Sequence, residues 1–195
     1  MAAAWDIPPF DGRGDKTPNP TYEAVGRALS AWEEVEVSLS HLFGIFTGKD
    51  PLSLATYAEY GKPSIFSHRA DGLQDAASVY FVRNPNQAHE AEFADLICDI
   101  RKFSARRNDI AHGIVRPIVV GPPISIPDDD PAGEPWLQMN YEYCLLPPTY
   151  AGRRFGLDRT PQYVLPAAEI MQFQAAFTRL LARVAQLNFR LQGVL

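Results

Sequence analysis

The chain has 195 residues, 46% of them hydrophobic and 21% charged, with a formal net charge of −5 at pH 7. That length suffices for one domain with a real core, and the composition is that of a globular chain rather than a disordered one. The acidic balance argues against a broadly cationic surface that would hold duplex DNA by counterion release, although it leaves room for a local basic site. No long uncharged apolar run is present, so no membrane span is expected. The first residues, MAAAWDIPPFDGRGDK, lack a basic start followed by an apolar core, so they do not read as a secretory signal. Cys98 and Cys144 have no metal-ligand spacing. Both read as small buried hydrophobes in a reducing, cytoplasmic setting.

Residues 1–20 are rich in Pro and Gly and read as a flexible or loosely docked arm. Arg13–Asp15 spells an adhesion tripeptide, for which a chance occurrence is expected in the absence of an export signal. A first helix is expected from Thr21 to Gly48, with Val25, Leu29, Trp32, Val35, Leu39, Leu42, Phe43 and Phe46 on one stripe. Glu36 falls inside that stripe, and an acid among apolar residues needs a partner. A short helix over PLSLATYAEYG follows. The next starts near Pro63 and turns Ile65, Leu73, Ala76, Ala77 and Tyr80 inward. A longer one starts near Ala88 and buries Phe93, Leu96, Ile97, Ile100, Phe103 and Ile110 before Gly113.

The texture then changes. Dense prolines from Pro117 to Pro161 forbid a long helix. GIVRPIVV and WLQMNYEYCLL read as two strands of a hairpin around the loop PPISIPDDDPAGEP. A last helix from Pro166 to Gln192 turns Ile170, Phe173, Phe177, Leu180, Leu181, Val184 and Leu187 inward. The expected fold class is mainly all-α. It is an up-and-down bundle of four to five helices in a single domain over 21–195, with a β-hairpin inserted at about 114–165 before the last helix.

The stretch RRNDIAHG closes the fourth helical pattern. On a wheel of about 100° per residue, Arg107 lies within about 20° of the axis set by Ile100, and Asn108 lies near the edge of the stripe. His112 stands one turn after Asn108, so the two side chains are neighbours. An inward guanidinium cannot shed its proton and must meet a carboxylate, a phosphate or solvent. Glu36 is the expected carboxylate, as a structural ion pair or as a residue that aims Arg107.

This Arg-Asn-x-x-x-His pattern, at the end of an inner helix and preceded by a helix carrying AWEEVEVSLSHLF, resembles the signature of the HEPN superfamily (higher eukaryotes and prokaryotes nucleotide-binding domains). The resemblance covers the helices and not the hairpin. It implies a HEPN-like bundle, a homodimer, and metal-independent endoribonuclease chemistry. In that chemistry the RNA 2′-OH attacks the phosphate to give a 2′,3′-cyclic phosphate and a 5′-hydroxyl. Carried over, His112 is the general base or acid, Arg107 holds the scissile phosphate, and Asn108 orients His112 or the phosphate. The chain is then a toxin or defence component, with RNA and an antitoxin-type protein as partners and no DNA. Some members carry a modifiable tyrosine two residues past the histidine, where this chain has Ile114.

Arg106, Arg116, Arg153 and Arg154 are the candidate RNA-binding rim, with Arg101, Lys102 and Arg159 nearby in sequence. Tyr150 and Tyr163 could stack on bases, although packing accounts for them as well. Asp128–Asp130, bracketed by prolines, reads as a solvated loop tip. His41, His68 and His89 are too scattered for a ligand set, so no metal and no cofactor is expected. The alternative is a non-catalytic nucleotide- or phosphate-binding or scaffold protein, in which the same motif closes the helix end or fixes a dimer interface.

Overall fold

The computed structural model describes residues 3–122, 124–126 and 136–193. It is mainly helical. The elements run α1 (Pro18–Thr47), α2 (Leu54–Gly61), α3 (Phe66–Arg83), α4 (Gln87–His112), β1 (Ile114–Val119), β2 (Ile124–Ile126), β3 (Trp136–Gln138), β4 (Tyr141–Leu146), a 3-10 turn over Gly152–Arg154, and α5 (Ala167–Leu191). The chain divides into two compact units. One comprises Met1–Arg27 with Asp109–Gln172, and the other Ala28–Asn108 with Phe173–Leu195. No helix among the described residues is long and apolar enough to cross a membrane.

The second unit is built on the periodic stripes. Trp32, Val35, Leu39 and Leu42 of α1, Leu96 and Ile100 of α4, and Phe177, Val184 and Leu187 of α5 are all at most 1% exposed. Trp32 meets Phe66 and Phe177 edge-on, with ring centroids 5.4 Å and 5.2 Å apart, and Phe46 joins Phe81 and Phe93 in a second aromatic cluster. Such edge-to-face pairs add to the burial that drives the core. Gly44 permits the turn after α1 to fold back, because a Cβ there would stand 2.6 Å from the Cα of Pro51.

Two sequence expectations in this unit are corrected. Ile65 is 56% exposed, because α3 starts one residue later and Ile65 occupies its N-cap. Phe81 takes the buried role at the other end of that helix. Cys98 is exposed rather than buried, because it lies across the helix from the stripe that Leu96 and Ile100 define.

In the first unit, β1 and β4 pair antiparallel from Ile114↔Leu146 to Val119↔Tyr141, and β2 pairs with β3 from Ile124↔Gln138 to Ile126↔Trp136. The two ladders replace the single hairpin of long strands expected from the sequence. The interruption falls where Gly121 takes φ +69° and Pro122 has no N–H to donate. Ile124–Ile126, expected in the loop, form a strand, whereas Asp128–Asp130 lie outside the described residues.

The end of the N-terminal arm is docked on this ribbon. Asp15 and Tyr143 exchange backbone hydrogen bonds at 2.9 Å and 2.7 Å. The Glu142 carboxylate accepts from Lys16 Nζ and from the Gly14 N–H (2.5 Å), and these contacts hold it below its ordinary pKa. Asp15 Oδ2 accepts from Thr21 Oγ1 at 2.6 Å and from the N–H of Ala167, the first residue of α5, at 2.9 Å. The RGD letters therefore mark a latch. Asp15 pairs with β4 and caps α5, while Gly14 leaves no room for a Cβ, which would fall 2.9 Å from the Tyr143 carbonyl oxygen and 2.8 Å from Cys144 Sγ. Burial, reinforced by the nearby Asp15 and Glu142 charges, pushes the Cys144 thiol up to about 12, so it is no nucleophile. Asp15→Ala removes a helix cap and is expected to lower stability by about 1–2 kcal/mol, read from the urea midpoint, whereas Asp15→Asn retains most of it.

Candidate functional site

The last two turns of α4 carry the motif. The stripe from Phe93 to Phe103 sets Arg107 near the buried face. Its side chain is 27% exposed, and its Nε is buried with no partner among the described residues. Arg107 Nη1 donates to Asn108 Oδ1 at 3.2 Å, and Nη2 stands 3.3 Å from Glu33 Oε1. Glu33 is itself 63% exposed, so this long, solvated pair contributes at most about 1 kcal/mol and is readily exchanged for a better anion. Asn108 and His112 are both exposed and lie one turn apart on the same side of the helix. His112 sits in the last turn of α4.

Arg107 is half-buried, in keeping with its place near the stripe axis, and Asn108, at the edge of the stripe, is exposed. The charged residue buried at this helix end is Asp109, at 2% exposure, beside the buried Ile110. Its carboxylate lies 2.8 Å from Arg154 Nη2, and its carbonyl accepts from Tyr163 Oη at 3.0 Å. The wheel drawn from Ile100 puts Asp109 about 180° from the core axis. It is buried nonetheless, because the chain after β4 covers that other face. The 3-10 turn presents Arg154 there, and the Gln162 N–H holds the Arg154 carbonyl at 2.8 Å. Gly113 then lets the chain pass from α4 into β1 at close quarters, since a Cβ on it would stand 2.5 Å from Cγ of the buried Leu145.

Glu36 does not pair with Arg107. It is 8% exposed and holds Arg69, whose Nη2 and Nε reach its two oxygens at 2.8 Å and 3.1 Å. Trp32 Nε1 and Tyr60 Oη donate to the same carboxylate at 3.2 Å and 3.0 Å. Glu36 and Glu33 point to different neighbours because they stand about 60° apart on the α1 wheel. α3 delivers Arg69 to the first, and α4 delivers Arg107 to the second. Hydrogen bonding to Glu36 raises the Arg69 pKa, and burial beside that carboxylate keeps the Tyr60 phenol protonated.

Of the expected RNA-binding rim, Arg116 on β1 and Arg153 are exposed, Arg106 is half-buried, and Arg154 is engaged with Asp109. Tyr163 is buried behind Asp109, and Tyr150 is 86% exposed. No cluster of three or more His, Cys, Asp or Glu side chains suited to a metal ion occurs among the described residues.

Sequence reasoning missed the Asp109–Arg154–Tyr163 closure and the role of Arg69. The available signal for the first was an aspartate beside the motif, followed by an arginine pair in a turn-forming segment. Comparison with protein-family models, with curated proteins and with solved structures finds no match for the chain.

Proposed function

We propose that the chain is a metal-independent endoribonuclease of the HEPN type, a HEPN-like up-and-down bundle whose catalytic residues are Arg107, Asn108 and His112. The observation that carries this reading is a division of labour at one helix end. Asp109 with Arg154 and Tyr163 performs the structural closure, so Arg107, Asn108 and His112 are not needed for it. Two of the three are exposed, and the third has only long contacts, to Asn108 and to the exposed Glu33. A guanidinium, an amide and an imidazole within two turns can supply phosphate binding and one proton-transfer group for attack of an RNA 2′-oxygen on its own phosphate.

In this mechanism His112 takes the proton of the ribose 2′-OH as the 2′-oxygen bonds to phosphorus. Arg107 exchanges Glu33 for the phosphate oxygens and offsets the charge that grows on them. Asn108, already a hydrogen-bond partner of Arg107, fixes the guanidinium's approach. The P–O5′ bond breaks, and the leaving oxygen takes its proton from the histidine of a second copy of the chain. The products are a 2′,3′-cyclic phosphate and a 5′-hydroxyl. Arg116 and Arg153 are the exposed cations offered to the RNA backbone. A toxin or defence role in the cytoplasm, held in check by an antitoxin-type protein, belongs to this reading.

The test is purified protein incubated with RNA in EDTA. Cleavage to cyclic-phosphate ends by the wild type and its loss in His112→Ala is the expected result. Equal cleavage by both proteins, or none by the wild type, overturns the mechanism.

A further inference from the structure

A pocket of roughly 360 Å³ opens between α1, α2 and α3 of the second unit, within the size range of small-molecule sites. Glu33, Glu36 and Ser40 line it from α1, Tyr57, Tyr60 and Gly61 from α2, and Arg69 from α3. Almost every polar side chain on this wall is already engaged. Arg69 and Tyr60 serve the Glu36 carboxylate. Tyr57 Oη shares a hydrogen bond with His41 at 3.0 Å, and Ser40 Oγ donates to the Val37 carbonyl at 2.6 Å. Glu33 is the exception. It is 63% exposed, and its polar contact among the described residues is the 3.3 Å approach to Arg107. One carboxylate thus belongs both to the pocket and to the guanidinium that the proposed mechanism gives to the phosphate.

That shared residue selects the occupant. A phosphate taken by Arg107 arrives where Glu33 now stands, at the pocket's edge, with its ribose and base attached. It also displaces Glu33, whose carboxylate then needs new donors. Of the four RNA bases only guanine offers two kinds of N–H side by side, N1–H and the N2 amino group, on its Watson–Crick edge. A carboxylate accepts both at once through its two oxygens. Adenine and cytosine set an amino group beside a ring-nitrogen lone pair, and uracil sets its N–H between two carbonyls. Each of these turns an acceptor toward one carboxylate oxygen. With guanine, one long ion pair is replaced by two sets of charge-assisted hydrogen bonds, guanidinium to phosphate and carboxylate to base.

We infer, on the reading of Arg107 as the phosphate-holding residue, that this pocket receives an unpaired guanine and that Glu33 reads its Watson–Crick edge. The guanosine is the one that carries the scissile phosphate on its 3′ oxygen, so holding its base also holds the ribose whose 2′-OH attacks. The substrate class is single-stranded RNA, because base pairing occupies the same guanine donors.

Guanosine 3′-monophosphate and its adenosine, cytidine and uridine counterparts, titrated into the full chain by calorimetry, test the pocket without cleavage. Guanosine is expected to bind at least about tenfold more tightly than the others, as hydrogen bonds to a charged group allow. Glu33→Gln alters an exposed side chain and is expected to collapse that preference about tenfold. A glutamate that merely neutralised Arg107 would, when replaced, strengthen all four nucleotides alike and leave their ratios unchanged. Gly61→Phe is the second variant. A Cβ there meets nothing within 4 Å, so a ring is accommodated at the pocket's edge, and it is expected to bring guanosine down to the level of the other three. Equal affinities for the four nucleotides, no binding, or a guanosine preference untouched by Glu33→Gln overturns the assignment. Guanosine selection by a protein that cuts no RNA leaves the pocket standing and removes only the nuclease, whereas RNA cut after all four bases alike, with equal affinities, does the reverse.

Discussion

Arg69→Ala is expected to lower the unfolding free energy by about 3–5 kcal/mol, the range for removing one partner of a buried ion pair. The reason lies in what remains. Glu36 keeps its place in the Trp32–Leu39–Phe43 region of α1, 8% exposed, with only the Trp32 indole and the Tyr60 hydroxyl to stabilise its charge. Arg69 supplies two charge-assisted bonds to that carboxylate and also donates to the Pro63 carbonyl at 2.9 Å, so it ties the start of α3 to α1. For a chain of this size the loss corresponds to a fall in melting temperature on the order of 10 °C. The double variant Glu36→Ala/Arg69→Ala is expected to lose less than the sum of the single losses, because it leaves no lone buried charge. A loss under about 1 kcal/mol for Arg69→Ala would place the pair with ordinary surface bridges and refute the argument.

The second large effect separates chemistry from scaffolding at the end of α4. His112→Ala is expected to reduce RNA cleavage about 10²–10⁴-fold, the usual contribution of a positioned acid or base. Its unfolding midpoint is expected to stay within about 0.5 kcal/mol of wild type, since the side chain is exposed. Asp109→Ala is the converse. It removes the buried carboxylate from Arg154, and its stability loss is expected to exceed that of His112→Ala several-fold. If His112→Ala instead unfolds the protein as Asp109→Ala does, His112 belongs to the closure and the catalytic assignment fails.

The helical frame was legible from periodicity. Phe93, Leu96, Ile97, Ile100 and Phe103 recur at helical spacing, and all are buried as that spacing requires. That Glu36 needs a partner was legible too, because an acid inside an apolar stripe is costly wherever the helix docks. Which arginine meets it was not legible, since the choice between Arg69 and Arg107 depends on which helix lies over each side of α1. Asp109 escaped for a related reason. A wheel assigns one inward face to a helix, and the end of α4 acquires another when the segment carrying Arg154 and Tyr163 folds over it. The motif letters picked out Arg107, Asn108 and His112, but only the tertiary contacts distinguish them from the aspartate between them.

The Asp15 latch bears on the order in which the protein can be completed. The carboxylate that caps α5 stands 152 residues before the amide it receives. On the ribosome the Asp15 carboxylate is therefore made long before the α5 amide that it receives. The backbone pairing of Asp15 and the Gly14 N–H with β4 becomes possible earlier, once Glu142 and Tyr143 are made, and until then the arm and β1 lack the strand that pairs both. Chains halted before Tyr141 are expected to leave β1 and the arm as open edges, so termination there favours aggregation over a partly working protein.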